Sequence, residues 1–168
     1  MKNLIILLIL ITSCEKIEQR DVYIDQRDGK EYGLVEIGKQ TWMDRNMEYT
    51  PYHNENYIQS DDYGVFYTWL VAGDICPDGW HLPTADEWEQ LFKTATQDEL
   101  RYGEFKALYG GWYQLEYSSE GRLAAWWSAD EYGSSYAWVY YIKFRDDIMK
   151  TNLPKTSNIC IRCLKDEN

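Results

Sequence analysis

CPDGWHLPTADEWEQL, residues 76–91, packs a cysteine, a tight turn and the start of a helix into one short run. Pro77-Asp78-Gly79 carries turn chemistry, because Pro presets one backbone angle and Gly accepts the conformations other residues avoid. Trp80 and Leu82 are expected to be buried. Pro83-Thr84 then launches a helix. Thr84 is the expected N-cap, and Glu87, three residues on, completes a Thr-x-x-Glu capping box. Asp86 and Glu87 in the first turn also favour the positive end of the helix dipole. Trp88, Leu91, Phe92 and Ala95 recur at helical spacing and form a stripe for the core. The two carboxylates are therefore capping groups before anything else. His81 reads as a structural hydrogen-bonding residue, since its one companion, His53, sits in a distant polar stretch.

Around this helix the pattern is that of strands. Val22–Ile24 and 31–37 flank Arg27-Asp28-Gly29-Lys30, and an Asp-Gly between alternating runs predicts a hairpin. Gly38-Lys39 turns the chain into a third short strand at 40–43. Residues 49–63 are polar and unpatterned, which predicts a surface loop. Residues 64–72 (GVFYTWLVA) place Phe66, Trp69 and Leu70 at helical spacing and predict a short helix. Residues 105–113 read as a loop broken by Gly110-Gly111. Residues 125–128 (AWWS) read as a strand in which one of Trp126 and Trp127 faces the core and the other faces away. Residues 136–144 (YAWVYYIKF) alternate, with Trp138, Tyr140, Ile142 and Phe144 on one face, and 159–164 closes the sheet. Short strands, one or two short helices and long loops predict an α+β domain built on an antiparallel sheet.

The N-terminus reads as an export segment. One Lys precedes the apolar run 4–11, far shorter than the roughly 20 residues that span a bilayer and suited to a signal peptide. Ile11-Thr12-Ser13-Cys14 resembles the bacterial lipobox. Residues 1–13 are thus expected to be a lipoprotein signal peptide, Cys14 the lipidated residue, 14–21 a tether and 22–168 the folded domain. An exported chain sits where disulfides persist. Cys160 and Cys163 lie on one predicted strand, about 10 Å apart, beyond the roughly 7 Å reach of a bridge. Alternation puts Cys163 with Ile159 and Ile161 on the apolar face, and Cys160 with Arg162 and Leu164 on the other. The expected bridge is Cys76–Cys163, with Cys160 free.

Among 168 residues the formal net charge is -11 and the pI is near 4.6, which excludes nucleic acid as a partner because phosphate recognition needs clustered cations. Aromatic residues reach 16%, with 8 Trp and 15 Tyr. Most of these rings are expected in the core. Trp112, Tyr113, Trp126, Tyr132 and Tyr136, with Asp130 and Glu131 nearby, are the candidates for an outward, ligand-stacking set.

Four stretches carry a family resemblance: 28–47, 63–91 with its Cys-Pro-x-Gly-Trp-His-Leu-Pro, 126–138, and Ile161-Arg162-Cys163-Leu164-Lys165-Asp166. Together they resemble the Fibrobacter succinogenes major paralogous domain family over about residues 22–166. The Leu-Pro-Thr-x-x-Glu-Trp helix and the Arg-Cys ending are also similar to C-type lectin-like and formylglycine-generating enzyme folds. The resemblance implies a mixed lectin-like core with long loops, a Cys76–Cys163 bridge, and an envelope protein, often lipid-anchored. Cys160 departs from the family pattern.

The expected function is a non-catalytic binding or adhesion domain on the cell envelope, held to the outer membrane through Cys14 and recognising a glycan or a surface protein. The alternative is a structural or protein-interaction lipoprotein with no small ligand. Formylglycine-type chemistry would need two reactive thiols, which structural Cys76 and Cys163 do not offer. No Gly-x-Ser-x-Gly appears, and the sequence lacks the Glu-Pro-Asn, Gln-Pro-Asp and Trp-Asn-Asp signatures of calcium lectins. No metal or cofactor is expected.

Overall fold

The structure is a computed structural model that describes residues 21–51, 56–114, 117–143 and 148–167. The export segment, Cys14, the tether to residue 20, His53 and Phe144 lie outside the described residues.

Strands β1 (Val22–Ile24), β2 (Glu31–Ile37) and β3 (Gln40–Met43) form the predicted meander. Gly29 takes a positive φ of 76° in the first turn, which explains the Asp-Gly. Strand β4 (Tyr57–Ser60) pairs with β5 (Gly64–Thr68), and helix α1 (Trp69–Ala72) follows directly. Two expectations are corrected here. The 49–63 loop contains a strand, and 64–72 is mostly strand. Phe66 is fully buried while Leu70 is 62% exposed, because Val65, Phe66 and Tyr67 pack on alternate sides of a sheet covered on both faces.

Strand β6 (Trp80–His81) precedes helices α2 (Ala85–Thr94) and α3 (Gln97–Tyr102). The capping box at Thr84 and Glu87 is present, and Trp88 and Leu91 are fully buried. Helix α3 opens with a second box, Thr96 and Glu99. Its sequence signal, Thr-Gln-Asp-Glu, was available, but the helix is too short to show apolar periodicity. Strands β7 (Trp112–Gln114), β8 (Tyr117–Ser118), β9 (Leu123–Glu131), β10 (Tyr136–Lys143), β11 (Ile148–Pro154), β12 (Asn158–Cys160) and β13 (Leu164–Lys165) complete the described elements.

The strands make two sheets. One runs β1-β2-β3-β13-β6; the other runs β11-β10-β9-β12-β5-β4, with β7 and β8 attached at β12. Among the described strands all pairings are antiparallel except β9 with β12. The architecture is α+β, as expected.

The final stretch departs most from its reading as one strand. β12 belongs to the large sheet and β13 to the small one, so residues 161–163 cross between them. Their backbone continues the stitching: Ile161 O accepts from Met47 N at 2.8 Å, and Cys163 O accepts from Met43 N at 3.2 Å. The predicted contrast between an apolar face and its opposite therefore does not hold. Cys160, Arg162 and Leu164 are all buried.

Both faces of β9 are covered as well. Leu123, Ala125 and Trp127 enter one core with Val139, Ile159, Ile161 and Cys163. Ala124 and Trp126 enter a second core with Trp42, Trp88, Phe105 and Tyr140. Trp126 and Trp127 are both fully buried, so the expectation that one would face away is wrong. Each indole still satisfies its N–H: Trp126 Nε1 donates to Asn46 Oδ1 at 2.9 Å and Trp127 Nε1 to Tyr67 O at 2.8 Å.

Cys76 and Cys163 are bridged, with Cα atoms 5.8 Å apart and a sequence separation of 87. The bond ties the loop before β6 to the crossover. Closing so long a loop is worth roughly 4 kcal/mol in the chain-entropy model. Replacing Cys76 and Cys163 together by Ser should lower unfolding free energy by about that amount in urea titrations. An unchanged midpoint would show that the bridge adds nothing.

Candidate functional site

Strands β10 and β11 form a hairpin at the edge of the large sheet. Register pairs Tyr136 with Pro154, Trp138 with Asn152, Tyr140 with Lys150 and Ile142 with Ile148. Directly opposed residues share a face, so these rings and Lys150 stand together. On the β9 side the register jumps: Ala137 opposes Glu131, whereas Val139 opposes Trp127. This irregularity leaves Trp138 without a β9 partner and gives residues 128–130 freedom to bind elsewhere. Ala129 N donates to Pro83 O at 2.9 Å, and Asp130 Oδ2 accepts from Ala85 N at 2.6 Å. The β9 bulge thus docks the start of α2, and α2 in turn lines the ring-bearing face.

Tyr132 N donates to Tyr136 O at 2.8 Å, closing the β9–β10 turn. The Tyr132 ring meets Trp138 edge-on, with centroids 4.7 Å apart. Tyr132 is 51% exposed and Tyr136 43%. Lys150 Nζ lies 4.3 Å from the Trp138 ring centre and 5.3 Å from that of Tyr140. Glu89 of α2 approaches Lys150 Nζ at 3.5 Å and the Tyr140 hydroxyl at 3.2 Å. The hydrogen bond to Tyr140 raises the Lys150 pKa, keeping the ammonium charged. Beyond Tyr140 the surface deepens into a groove of about 360 Å³ between Phe92, Glu89, Ile148 and Lys150. The result is a shallow surface with two exposed tyrosines, one half-buried indole, an ammonium and a carboxylate. Such a surface can stack on an apolar ring face and hydrogen-bond its substituents.

The sequence-nominated residues do not form one site. Tyr132 and Tyr136 belong to this face. Trp112 lies on the other side of the hairpin, edge-on to Tyr141 at 5.6 Å. Tyr113 packs edge-on against Phe66 at 4.8 Å, and its hydroxyl donates to Glu120 at 3.2 Å. Trp126 is in the core and unavailable to a ligand. Asp130 is engaged by Ala85 N and by the Ser128 hydroxyl at 3.2 Å. Glu131 pairs with Lys155 at 3.0 Å, and Lys155 sits over the Trp69 ring at 4.4 Å. Those two acids hold structure together. Trp138 and Tyr140 were missed as site residues, although the alternation of 136–144 already placed them on a face with Tyr136. Lys150 and Glu89 had no signal, since only the folded hairpin and helix bring them there.

His81 has the structural role expected of it. Nδ1 is 2.6 Å from Asp166 Oδ1 and Nε2 is 2.9 Å from Glu87 Oε1. The other oxygen of Glu87 accepts from Thr84 N at 2.8 Å in the capping box. Burial disfavours the imidazolium, but the two carboxylates outweigh it and raise the His81 pKa. Cys160, the one free thiol among the described residues, is buried, and burial pushes its pKa up to about 12. It is therefore a poor nucleophile.

Residues 35–104, from β2 to just beyond α3, match the model of the Fibrobacter succinogenes major domain. No curated protein matches the chain.

The His81 clamp has a defined pH dependence. Because its folded pKa lies above the unfolded value of about 6.5, its contribution is full below that value and fades as pH rises through the folded pKa. At the acid end it fails once Glu87 takes up a proton, which happens below the usual carboxylate range because its desolvation is outweighed by the bonds from Thr84 and His81. The stability gap between wild type and His81→Gln should therefore be larger at pH 6 than at pH 9 in denaturant titrations. A gap independent of pH would show that the imidazole acts only by packing.

Proposed function

From the match of residues 35–104 to the Fibrobacter succinogenes major domain, we propose that the chain is a non-catalytic carbohydrate-binding module displayed on the bacterial cell envelope. The observation that carries this reading is the aromatic face formed by exposed Tyr132 and Tyr136 and half-buried Trp138 beside Lys150 and Glu89. Sugars present apolar C–H faces ringed by hydroxyls. Aromatic rings flanked by a cation and a carboxylate answer both features. The order of the site supports the reading too, because it sits on paired strands and a capped helix, where geometry is held more tightly than on loops.

The non-catalytic part of the proposal draws on the cysteines. Of the three described cysteines, two are joined in a disulfide and the third is buried with a raised pKa. Paired-thiol oxidation has no pair of reactive thiols to use among the described residues. The lectin-like part draws on the mixed sheets, the short helices and the bridge to the last crossover. The envelope location draws on the lipobox-like Ile11-Thr12-Ser13-Cys14, which would fix the chain to a membrane through lipid on Cys14.

The full chain should bind selected neutral oligosaccharides on a glycan array. Trp138→Ala and Tyr132→Ala should each weaken the best of these at least tenfold, in line with about 1.4 kcal/mol or more per stacking ring. Repeating the array with chelator tests calcium dependence. Absence of binding to any neutral glycan would overturn the reading and favour a protein-interaction role. Full binding by both variants would move the site elsewhere.

A further inference from the structure

The opposite face of the β10–β11 hairpin holds a second cleft, of about 510 Å³, and its chemistry differs from that of the outer face. Trp112, Tyr141 and Leu153 form its apolar walls, and Arg122, Lys143 and Thr151 supply its polar groups. Several constraints build it. Gly111 adopts a φ of 73°, and a Cβ there would stand 2.5 Å from the Ser119 carbonyl carbon, so the backbone can pass here only as glycine. Gly111 N then donates to Leu123 O at 2.9 Å, setting Trp112 beside the start of β9. Ser119 clamps Trp112 from both sides: its hydroxyl accepts from Trp112 N at 2.9 Å, and its N donates to Trp112 O at 3.2 Å. Leu123 is in register with Lys143, so Arg122, one residue earlier, stands at the same end of the cleft as Lys143.

The charge here reverses that of the molecule. The chain carries a formal net charge of -11, yet among the described residues the cleft lining contains Arg122 and Lys143 and no carboxylate. Neither cation makes an ion pair with a described residue. Glu120, two residues before Arg122, is bonded instead to Tyr113 and does not line the cleft. Elsewhere the basic side chains of this protein are largely engaged: Arg27 with Asp25, Arg45 and Lys106 with Asp44, Lys150 with Glu89 and Lys155 with Glu131. A cation pair that no described carboxylate opposes, beside an indole and in a cavity of ligand size, is a receptor for an anion on a ring. Arg presents a planar fork suited to a carboxylate or sulfate, and Trp112 offers a surface for the ring that bears it.

We propose that the cleft between Trp112, Tyr141, Arg122 and Lys143 is a second binding site, specific for an acidic sugar that carries its charge as a ring carboxylate or sulfate. This site is independent of the neutral-glycan reading of the outer face, and the two fail separately. The test is isothermal titration of the full chain with tetragalacturonate, with a chondroitin sulfate tetrasaccharide and with neutral cellotetraose, at about 50 and 300 mM salt. The first two probes separate carboxylate from sulfate as the recognised group. The expected result is binding of at least one acidic probe that weakens with salt and falls at least tenfold in both Arg122→Gln and Lys143→Gln. Trp138→Ala, on the outer face, should leave it unchanged. Arg122 is exposed and neither cation supports the core, so these variants should fold. No binding by either acidic probe, equal binding of cellotetraose, or full binding by the Gln variants would overturn the proposal.

Discussion

A buried guanidinium organises this fold. Arg162 is fully enclosed in the crossover between β12 and β13. Burying an ion costs several kcal/mol even after relaxation, so it persists only where its donors are satisfied. Here all three nitrogens are engaged. Nη1 donates to Met43 O at 3.1 Å and to Phe105 O; Nη2 donates to Asn46 Oδ1 at 2.9 Å and to Lys106 O at 3.4 Å; Nε donates to Asn46 Oδ1 at 3.3 Å. The Arg162 Cζ lies 4.3 Å from the Phe105 ring centre. Burial lowers the pKa of the guanidinium, and the surrounding carbonyl oxygens compensate the positive charge that remains at neutral pH.

The partners of Arg162 come from parts of the chain that share no ladder. Met43 ends β3, Asn46 follows it, and Phe105-Lys106 is the loop after α3. Asn46 extends the network by accepting from Trp126 Nε1 and by donating to Tyr63 O at 3.1 Å. Lys106 holds a positive φ of 50°, unusual for a residue with a side chain. Its carbonyl faces Arg162 and its ammonium reaches Asp44 Oδ2 at 2.9 Å. With the crossover pinned, Cys163 falls opposite Cys76 and β12 lies against β9. The large sheet is then closed on both faces, and its edge hairpin carries rings outward on one side and a cationic cleft on the other.

What could be read in advance follows from the range of the interactions. The meander, the capped helix α2, the β10 strand and the Cys76–Cys163 bridge all rest on short-range rules or on one distance limit. The strands β4, β7 and β11 are set by their partners, and their sequences are too polar or too short to alternate visibly. Residues 158–166 misled for a specific reason. Their alternation was real, but it was interrupted at Ile161, and the sheet on either side was covered on both faces, so Arg162 went inward with the rest. Of the nominated ligand residues, Tyr132 and Tyr136 are exposed together, whereas Trp126, Asp130 and Glu131 are taken up by the core and by the α2 docking. Composition could not make that distinction, because a buried ring and a stacking ring have the same identity.

The central role of Arg162 is most directly tested by Arg162→Lys, which keeps the charge and loses the fork. Lysine offers three donors at one point and cannot reach four separated oxygens. Chemical denaturation with the disulfide intact should show a loss of about 3 kcal/mol or more, the scale for breaking a buried, hydrogen-bonded ion. A variant as stable as wild type would mean that charge alone suffices and that the fork does not hold the two sheets together.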